Sequence, residues 1–199
     1  MKARRGLRIN VFTLAALIPA LLLAGGCLRA GDEAPAPLSE RDGGASPASQ
    51  LEGHVLYLEE NAAMLASRIH ELVNGERRAA GLAALDWDPR LAEIAFAHSR
   101  DMAARGYFDH VDLEGNDFAD RYQKGGYDRR TELPGRTLLG GENLFKYNVV
   151  KSYSYDEASG EVRGYVFNSL EELAQAAVKG WMASPGHRDN ILAPFSREG

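Results

Sequence analysis

Three short stretches of the chain place a histidine or glutamate beside residues that constrain the backbone. The first, residues 180–192, has a Ser184-Pro185-Gly186 break just before His187. Proline disfavours helix in the residue before it and glycine allows unusual backbone angles, so the break fixes where His187 points. The other two are Phe108-Asp109-His110, where the aromatic residue can be buried and so fix the histidine, and residues 140–144, GGENL. Taken alone, the first stretch also fits a helix end with a surface histidine.

In this order and spacing, the three stretches resemble those of one protein family. The resemblance covers about residue 65 to the chain end, in LVNGERRAAGLAALDWDPRLAEIAFAHSRDMAARGYFDH, GGENL and AAVKGWMASPGHRDNIL. It is to the CAP superfamily (cysteine-rich secretory proteins, antigen 5, pathogenesis-related 1; SCP-like domain) in its bacterial form. The resemblance implies that His110, Glu142 and His187 line a central cleft. In family members with a complete set, two histidines and two glutamates line this cleft. The second glutamate would fall where this chain has Ser184.

The implied cleft residues suit two kinds of chemistry. Two imidazoles and a carboxylate from separate segments can hold a divalent metal such as zinc, with one position left for water. They can equally act as an acid–base pair without metal, while a glutamate in GGENL can also merely bond nearby backbone amides. Supporting residues in these stretches are Asn143, Ser184, Arg188 and Asn190. No GxSxG serine is present, so a hydrolase would lack a convincing nucleophile.

Residues 1–27 are typical of an export signal. A basic start precedes the apolar run 9–23, and small residues then lead to Cys27, the only cysteine. This pattern resembles a bacterial lipoprotein signal with a lipidated cysteine; an ordinary signal peptide or an uncleaved anchor helix is the alternative. Acyl chains on Cys27 would tether the protein to a membrane, since each buried CH₂ contributes roughly 0.8 kcal/mol. The residue after the cysteine is Leu28 and not the aspartate that acts as a retention signal in lipoproteins. If the envelope has two membranes, this favours the outer one.

Composition indicates a globular domain behind a spacer. Residues 28–50 are rich in Ala, Pro, Gly, Ser and acidic residues, and they predict a flexible linker before a domain at 51–199. The 199-residue chain has 28 acidic and 23 basic residues, a net charge of −5, so no nucleic-acid partner is expected. With a single cysteine, no intramolecular disulfide can form, and the domain must rely on its core.

The segments around the cleft residues are mostly helical in pattern. Apolar residues at helical spacing predict a long helix over 51–80, and Asp88-Pro89 predicts the start of a second helix ending at Gly106. On the second helix His98 is predicted to be a packed core histidine. Residues 118–123 predict a short third helix.

Few segments in the rest of the chain have the pattern of a β-strand. Residues 151–167 alternate and predict a β-hairpin with Ser-Gly at its turn, interpreted as an insertion near the site mouth. A capping box then predicts the last long helix, which starts at Ser169. Residues 128–139 predict a loop, and parts of 140–150 predict strand. The resemblance implies an α+β fold: a three-layer α-β-α sandwich with a small, mostly antiparallel central sheet. Relatives usually continue past residue 199 into further strands, so we expect either a truncated fragment or an incomplete sheet.

We therefore expect a CAP-domain lipoprotein of the cell envelope that is exported and lipid-anchored. It would bind a ligand or partner in a His/Glu-lined cleft, with a divalent metal such as zinc as the candidate cofactor. Lipid, sterol, cell-wall and protein ligands are the classes considered. The alternative is a divalent-metal-dependent hydrolase acting in the envelope or extracellularly. A structural wall protein or surface adhesin, in which the cleft residues have no binding role, is a third interpretation.

Overall fold

A computed structural model of the chain describes residues 45–199. The lipoprotein-type signal at 1–27 with its Cys27, and the linker up to residue 44, lie outside the described residues. Within 45–199 the protein has six helices and six short strands, so the predicted α+β class is confirmed. In this part of the chain, no helix combines the length and the apolar character needed to cross a membrane.

Four of the six helices in residues 45–199 begin after a residue whose side chain accepts from their first backbone N–H groups. The six helices are α1 Pro47–Glu60, α2 Ala62–Ala79, α3 Pro89–Arg105, α4 Phe118–Lys124, α5 Leu170–Ala183 and α6 Pro185–Ile191. Asp88 caps α3 by accepting from the Arg90 N–H, and Ser169 with Glu172 forms a capping box on α5. Such caps pair donors that have no partner in the first helical turn. The starts predicted for α3 and α5 are therefore confirmed.

The single helix predicted over 51–80 is wrong, because two helices occupy this region. The first begins at Pro47, inside the predicted linker, since the Ser46 side chain accepts from the Ser49 N–H and proline fits a first turn. It ends before Asn61, whose side-chain amide donates to the Tyr57 carbonyl at 2.7 Å. A side chain that bonds a carbonyl of its own helix competes with the regular backbone pattern.

The strands form three separate pairs in residues 45–199. They are β1 Asp86–Trp87, β2 Thr131–Leu133, β3 Arg136–Leu138, β4 Val150–Tyr155, β5 Val162–Phe167 and β6 Arg197–Glu198. β1 and β6 pair in parallel, whereas β2–β3 and β4–β5 are antiparallel. The predicted hairpin at 151–167 is confirmed as β4–β5. Its turn contains Gly160 at φ 76°, in the left-handed region that glycine adopts readily.

The loop predicted over 128–139 is wrong in its central part, where β2 and β3 form a hairpin. Pro134 and Gly135 connect the two strands, and Gly135 has φ 79°. Proline presets the first turn position and glycine supplies a positive φ at the second, so Pro-Gly is a turn-forming pair. The sequence thus contained the signal for this hairpin.

The strand predicted in 140–150 is also wrong, except at Val150, where β4 begins. Several backbone carbonyls in this segment accept from side chains instead of from a neighbouring strand. Tyr122 donates to the Gly141 carbonyl and Trp181 donates to the Leu144 carbonyl, both at 3.1 Å. The segment is therefore an irregular connection held by helices.

The core lies where α2 packs against α5 and α6. Its buried members are Val73, Leu85, Val178 and Ile191. Arg77 of α2 is also buried, with 2% of its surface exposed, and it donates to the backbone carbonyls of Ala83, Ile191, Ala193 and Phe195. These bonds compensate for the loss of water around a buried charge. Burial nevertheless lowers the pKa of Arg77, which the charge of Glu198 partly opposes.

The β4–β5 hairpin packs against α1. The Gln50 side chain accepts from the backbone N–H of Tyr165 at 3.0 Å, which covers part of the β5 edge. The His54 ring stacks on Phe167 with centroids 4.0 Å apart. The position of this hairpin near the site mouth stays a prediction.

Candidate functional site

His110 and Glu142 are in direct contact. The His110 Nδ1 lies 2.9 Å from the Glu142 Oε1, with about half of the histidine side chain exposed and 16% of the glutamate side chain. Gly106, in the left-handed conformation at φ 72°, ends α3 and turns the chain into the loop that carries His110. His98 of α3 holds this loop in place, because its buried ring is hydrogen-bonded to the Asp109 carbonyl at 3.0 Å. The prediction that His98 is a packed core residue is confirmed.

Two glycines allow the GGENL segment to pass close to the helices. Gly140 has φ 145°, and a Cβ there would lie 2.6 Å from the Tyr122 ring. At Gly141 a Cβ would lie 3.0 Å from the Asn190 side chain, which is tighter than ordinary packing. Any side chain at Gly140 would meet both an unfavourable backbone conformation and a clash. The glycines therefore let Glu142 sit against α4 and α6.

His187 reaches the same region through its backbone. Helix α5 ends at Ala183, Ser184 is extended, and α6 restarts at Pro185, so His187 lies in the first turn of α6. The Asn143 side chain donates to the His187 carbonyl at 3.0 Å. The Glu142-Asn143 pair thus joins the His110 loop to the α6 turn. His187 is half-buried, and its backbone carbonyl is the group that contacts this pair.

The supporting residues differ in what they contact. Asn190 donates to the Glu142 carbonyl at 3.3 Å and to the Asn143 Oδ1 at 3.0 Å, so α6 holds the GGENL segment at two points. Ser184 lies at the α5–α6 junction, and its side chain makes no capping bond to α6. Arg188 is exposed on α6. Of the four supporting residues, Asn143 and Asn190 thus hold the backbone of the site in place.

Two α4 residues at the site were not found from the sequence. Arg121 binds the Glu142 Oε2 through its Nη2 at 2.5 Å, and Tyr122 packs beneath Gly140. Burial, followed by the negative charge of Glu142, raises the pKa of Tyr122 to about 12. Nothing in the spacing of a short amphipathic helix distinguishes Arg121 from a surface arginine, so no sequence signal marked it.

The placement of Glu142 bears directly on the predicted zinc site. One of its carboxylate oxygens is bonded to the His110 ring and the other to Arg121. Across residues 45–199, no three His, Cys, Asp or Glu side chains are grouped so that they could hold a metal ion. A three-ligand zinc site needs three converging donor groups, and in the described residues the structure brings together His110 and Glu142 without a third.

Comparison with known proteins identifies related sequences. The sequence model described as "CAP: Cysteine-rich secretory protein family" matches residues 70–198. The "Uncharacterized membrane protein YlbC" of Bacillus subtilis (strain 168) is 33% identical over 125 residues, which cover 63% of this chain and 27% of YlbC. The "Uncharacterized protein YkwD" of the same strain is 30% identical over 127 residues, 64% of this chain and 37% of YkwD.

One solved structure is also similar, that of an extracellular protein containing a SCP domain from Bacillus anthracis str. Ames. It is 25% identical in sequence, with a TM-score of 0.41, and the match covers 64% of this chain and 33% of that protein. This chain spans only about a third of the length of the curated relatives that it matches.

Proposed function

Because the chain belongs to the cysteine-rich secretory protein (CAP) family, we propose that it is a binding module whose cleft contains His110, Glu142 and His187. The observation that carries this proposal is the double engagement of the Glu142 carboxylate by His110 and Arg121. A general base must reach the proton that it removes, and the two oxygens of this carboxylate are directed at the His110 ring and at Arg121. The half-exposed His110 ring, in contrast, is accessible to a ligand.

The ligand classes proposed are a lipid, a sterol, a cell-wall component or a protein. A nucleic acid is not proposed, because the net charge of −5 offers no general attraction to phosphates. The full chain in detergent and a His110→Ala/His187→Ala double variant would be sedimented with phospholipid vesicles, with and without sterol, and with purified cell wall. Saturable binding that becomes at least about tenfold weaker in the double variant is expected.

The matched control for this experiment is Arg163→Ala, an exposed position on β5 whose side chain pairs with Asp156. It should bind as the wild type does. Equal binding by the double variant, or turnover of any of these materials that the double variant loses, would contradict a binding role of the cleft.

The three strand pairs are proposed to be parts of the three-layer α-β-α sandwich of the family. Lipidation at Cys27, a linker that follows it and an envelope location, at the outer membrane where there are two, complete the proposal. Support comes from the lipoprotein-type signal and from the name of YlbC as a membrane protein. Metabolic labelling with a radioactive fatty acid should modify the wild type and spare Cys27→Ser.

A divalent-metal-dependent hydrolase is the second candidate. It is favoured by the His110 Nε2, to which no group in the described part of the chain is hydrogen-bonded, since an unbonded imidazole nitrogen is a typical zinc donor. Calorimetric titration of the full chain with Zn²⁺ tests it beside the double variant. Stoichiometric binding that the variant loses would support this candidate, and a folded wild type that takes up no Zn²⁺ would exclude it.

A further inference from the structure

Arg121 joins three points of the candidate site with one guanidinium group. Its Nη1 donates to the His110 carbonyl at 3.0 Å and to the Asn116 carbonyl at 2.9 Å, and its Nη2 donates to the Glu142 Oε2 at 2.5 Å. The side chain is nine-tenths buried, and its Nε has no hydrogen-bond partner in residues 45–199. Such a fork holds several acceptors in fixed directions, which a lysine ammonium cannot do.

The contact with Arg121 determines what Glu142 can offer to His110. An arginine remains charged at any ordinary pH, and the carboxylate beside it is an acceptor only. The Glu142 Oε1 therefore accepts a hydrogen bond from the His110 Nδ1, which must carry the proton of the neutral ring. The other ring nitrogen, Nε2, is then left with a free lone pair, since a neutral imidazole has one donor and one acceptor.

We propose that Arg121 is the positioning residue of this site, fixing Glu142 so that His110 keeps its proton on Nδ1 and presents Nε2 to the ligand. This inference deepens the proposed function and rests on it for the ligand. Because Nε2 is an acceptor, the ligand group that meets His110 is a hydrogen-bond donor, such as a hydroxyl or an amide N–H. Arg121 acts through Glu142 and does not touch the ligand.

The proton position is measured without any ligand, by long-range ¹H–¹⁵N correlation of the histidine rings in the ¹⁵N-labelled full chain. At a pH at which the rings are neutral, wild-type His110 should show the Nδ1–H tautomer. Arg121→Met removes the charge and all three bonds, and His110 should lose this preference and become a mixture dominated by Nε2–H, as in free imidazole side chains. Arg121→Lys, which keeps the charge, should retain part of the preference.

The matched control is Arg105→Met, because Arg105, on α3, also pairs with carboxylates, but these belong to Asp101 and Glu114 and not to Glu142. It should leave the His110 tautomer unchanged. The ring signals of His70 and His98 report whether each variant is folded. Arg121→Gln, which keeps amide donors without the charge, replaces Arg121→Met if the latter does not fold.

Three results would overturn the positioning role. They are a wild-type His110 protonated on Nε2, a folded Arg121→Met with an unchanged tautomer, and loss of folding in both Arg121→Met and Arg121→Gln, which would make Arg121 purely structural. The proposed function fails separately: His110→Ala/His187→Ala would bind normally while the tautomer still depended on Arg121.

Discussion

Two histidine–glutamate pairs lie in different parts of this molecule, one between α2 and β6 and one between the loop after α3 and the GGENL segment. In the first pair, the His70 Nδ1 lies 2.5 Å from the Glu198 Oε1, and its Nε2 lies 3.2 Å from the Asn74 amide. In the second, the His110 Nδ1 bonds Glu142, while in residues 45–199 nothing is bonded to Nε2. The first ring is closed at both nitrogens and the second is open at one.

The two carboxylates also have different surroundings. Burial raises the pKa of Glu198, an effect that the hydrogen bond from His70 partly opposes. Glu142 instead faces the guanidinium of Arg121. Both nitrogens of the His70 ring are thus bonded inside the fold, whereas the His110 ring keeps one nitrogen for the ligand that we propose.

The largest expected effect is at the residue that closes the first pair. Asn74 is buried, and besides His70 it bonds both the N–H and the carbonyl of Leu85. Asn74→Ala leaves these buried backbone groups unpaired and should lower the free energy of unfolding by about 3 kcal/mol in urea denaturation. Asn190, beside the second pair, is half-buried. Asn190→Ala should therefore lower the free energy of unfolding by only about 1 kcal/mol. Equal losses at the two positions would remove the distinction between the pairs.

A third histidine extends the comparison, because no atom in residues 45–199 is hydrogen-bonded to either nitrogen of His54. Burial lowers the pKa of His54 from 6.5 to about 4. The unfolded chain therefore binds more protons in this window, so stability is lost as the pH falls from 6.5 toward 4. From about pH 7.5 to about pH 5, His54 should cost about 2 kcal/mol of unfolding free energy.

Denaturation of wild type and His54→Phe at several pH values measures this contribution. The variant has no titrating ring at this position, so the difference between the two unfolding curves should grow in favour of the variant as the pH falls. A constant difference across the range would show that His54 does not titrate with a lowered pKa.

Removing each paired histidine tests the comparison more directly. His70→Ala should lower the free energy of unfolding by about 1.5 kcal/mol, because the half-buried Glu198 carboxylate loses its bond to the ring and the buried Asn74 amide loses one of its bonds. His110→Ala should cost less than about 0.5 kcal/mol, because its side chain is half exposed. Thermal or urea denaturation at neutral pH measures both. A larger loss at His110 would contradict the assignment of its pair to recognition.

The smallest effect concerns reactivity and leaves stability untouched. Diethyl pyrocarbonate attacks an unprotonated imidazole nitrogen, so His110, with its exposed Nε2, should be modified several-fold faster than His70. Peptide mass spectrometry at short reaction times measures both rates in one sample. Similar rates would mean that the Asn74 bond does not protect His70.

The sequence predicted those features that depend on neighbouring residues. The helix starts at Asp88-Pro89 and Ser169, and the hairpin turn before β5, follow from caps and turn residues within a few positions. The packed state of His98 followed from its place on an apolar helix face. For the same reason, the Pro134-Gly135 turn was available to prediction and was missed.

The remaining features depend on residues far apart in the chain. Arg121 and Glu142 are separated by 21 positions, and His70 and Glu198 by 128. Neither partner has a local pattern that identifies the other. The irregular GGENL segment is another case, because the side chains that donate hydrogen bonds to its carbonyls come from α4, α5 and α6. The break at Asn61 is local by contrast, but it interrupts an apolar pattern that continues on both sides, so periodicity alone could not locate it.

Arg77 has a consequence for how the molecule opens. Its guanidinium fastens the carbonyls of Ile191, Ala193 and Phe195 to α2, so α6 cannot detach from the core without breaking all of these bonds. The helix that carries His187 therefore belongs to the same cooperative unfolding unit as the core. In hydrogen–deuterium exchange, the α6 amides would exchange with α2 and α5, and later than those of the β4–β5 hairpin.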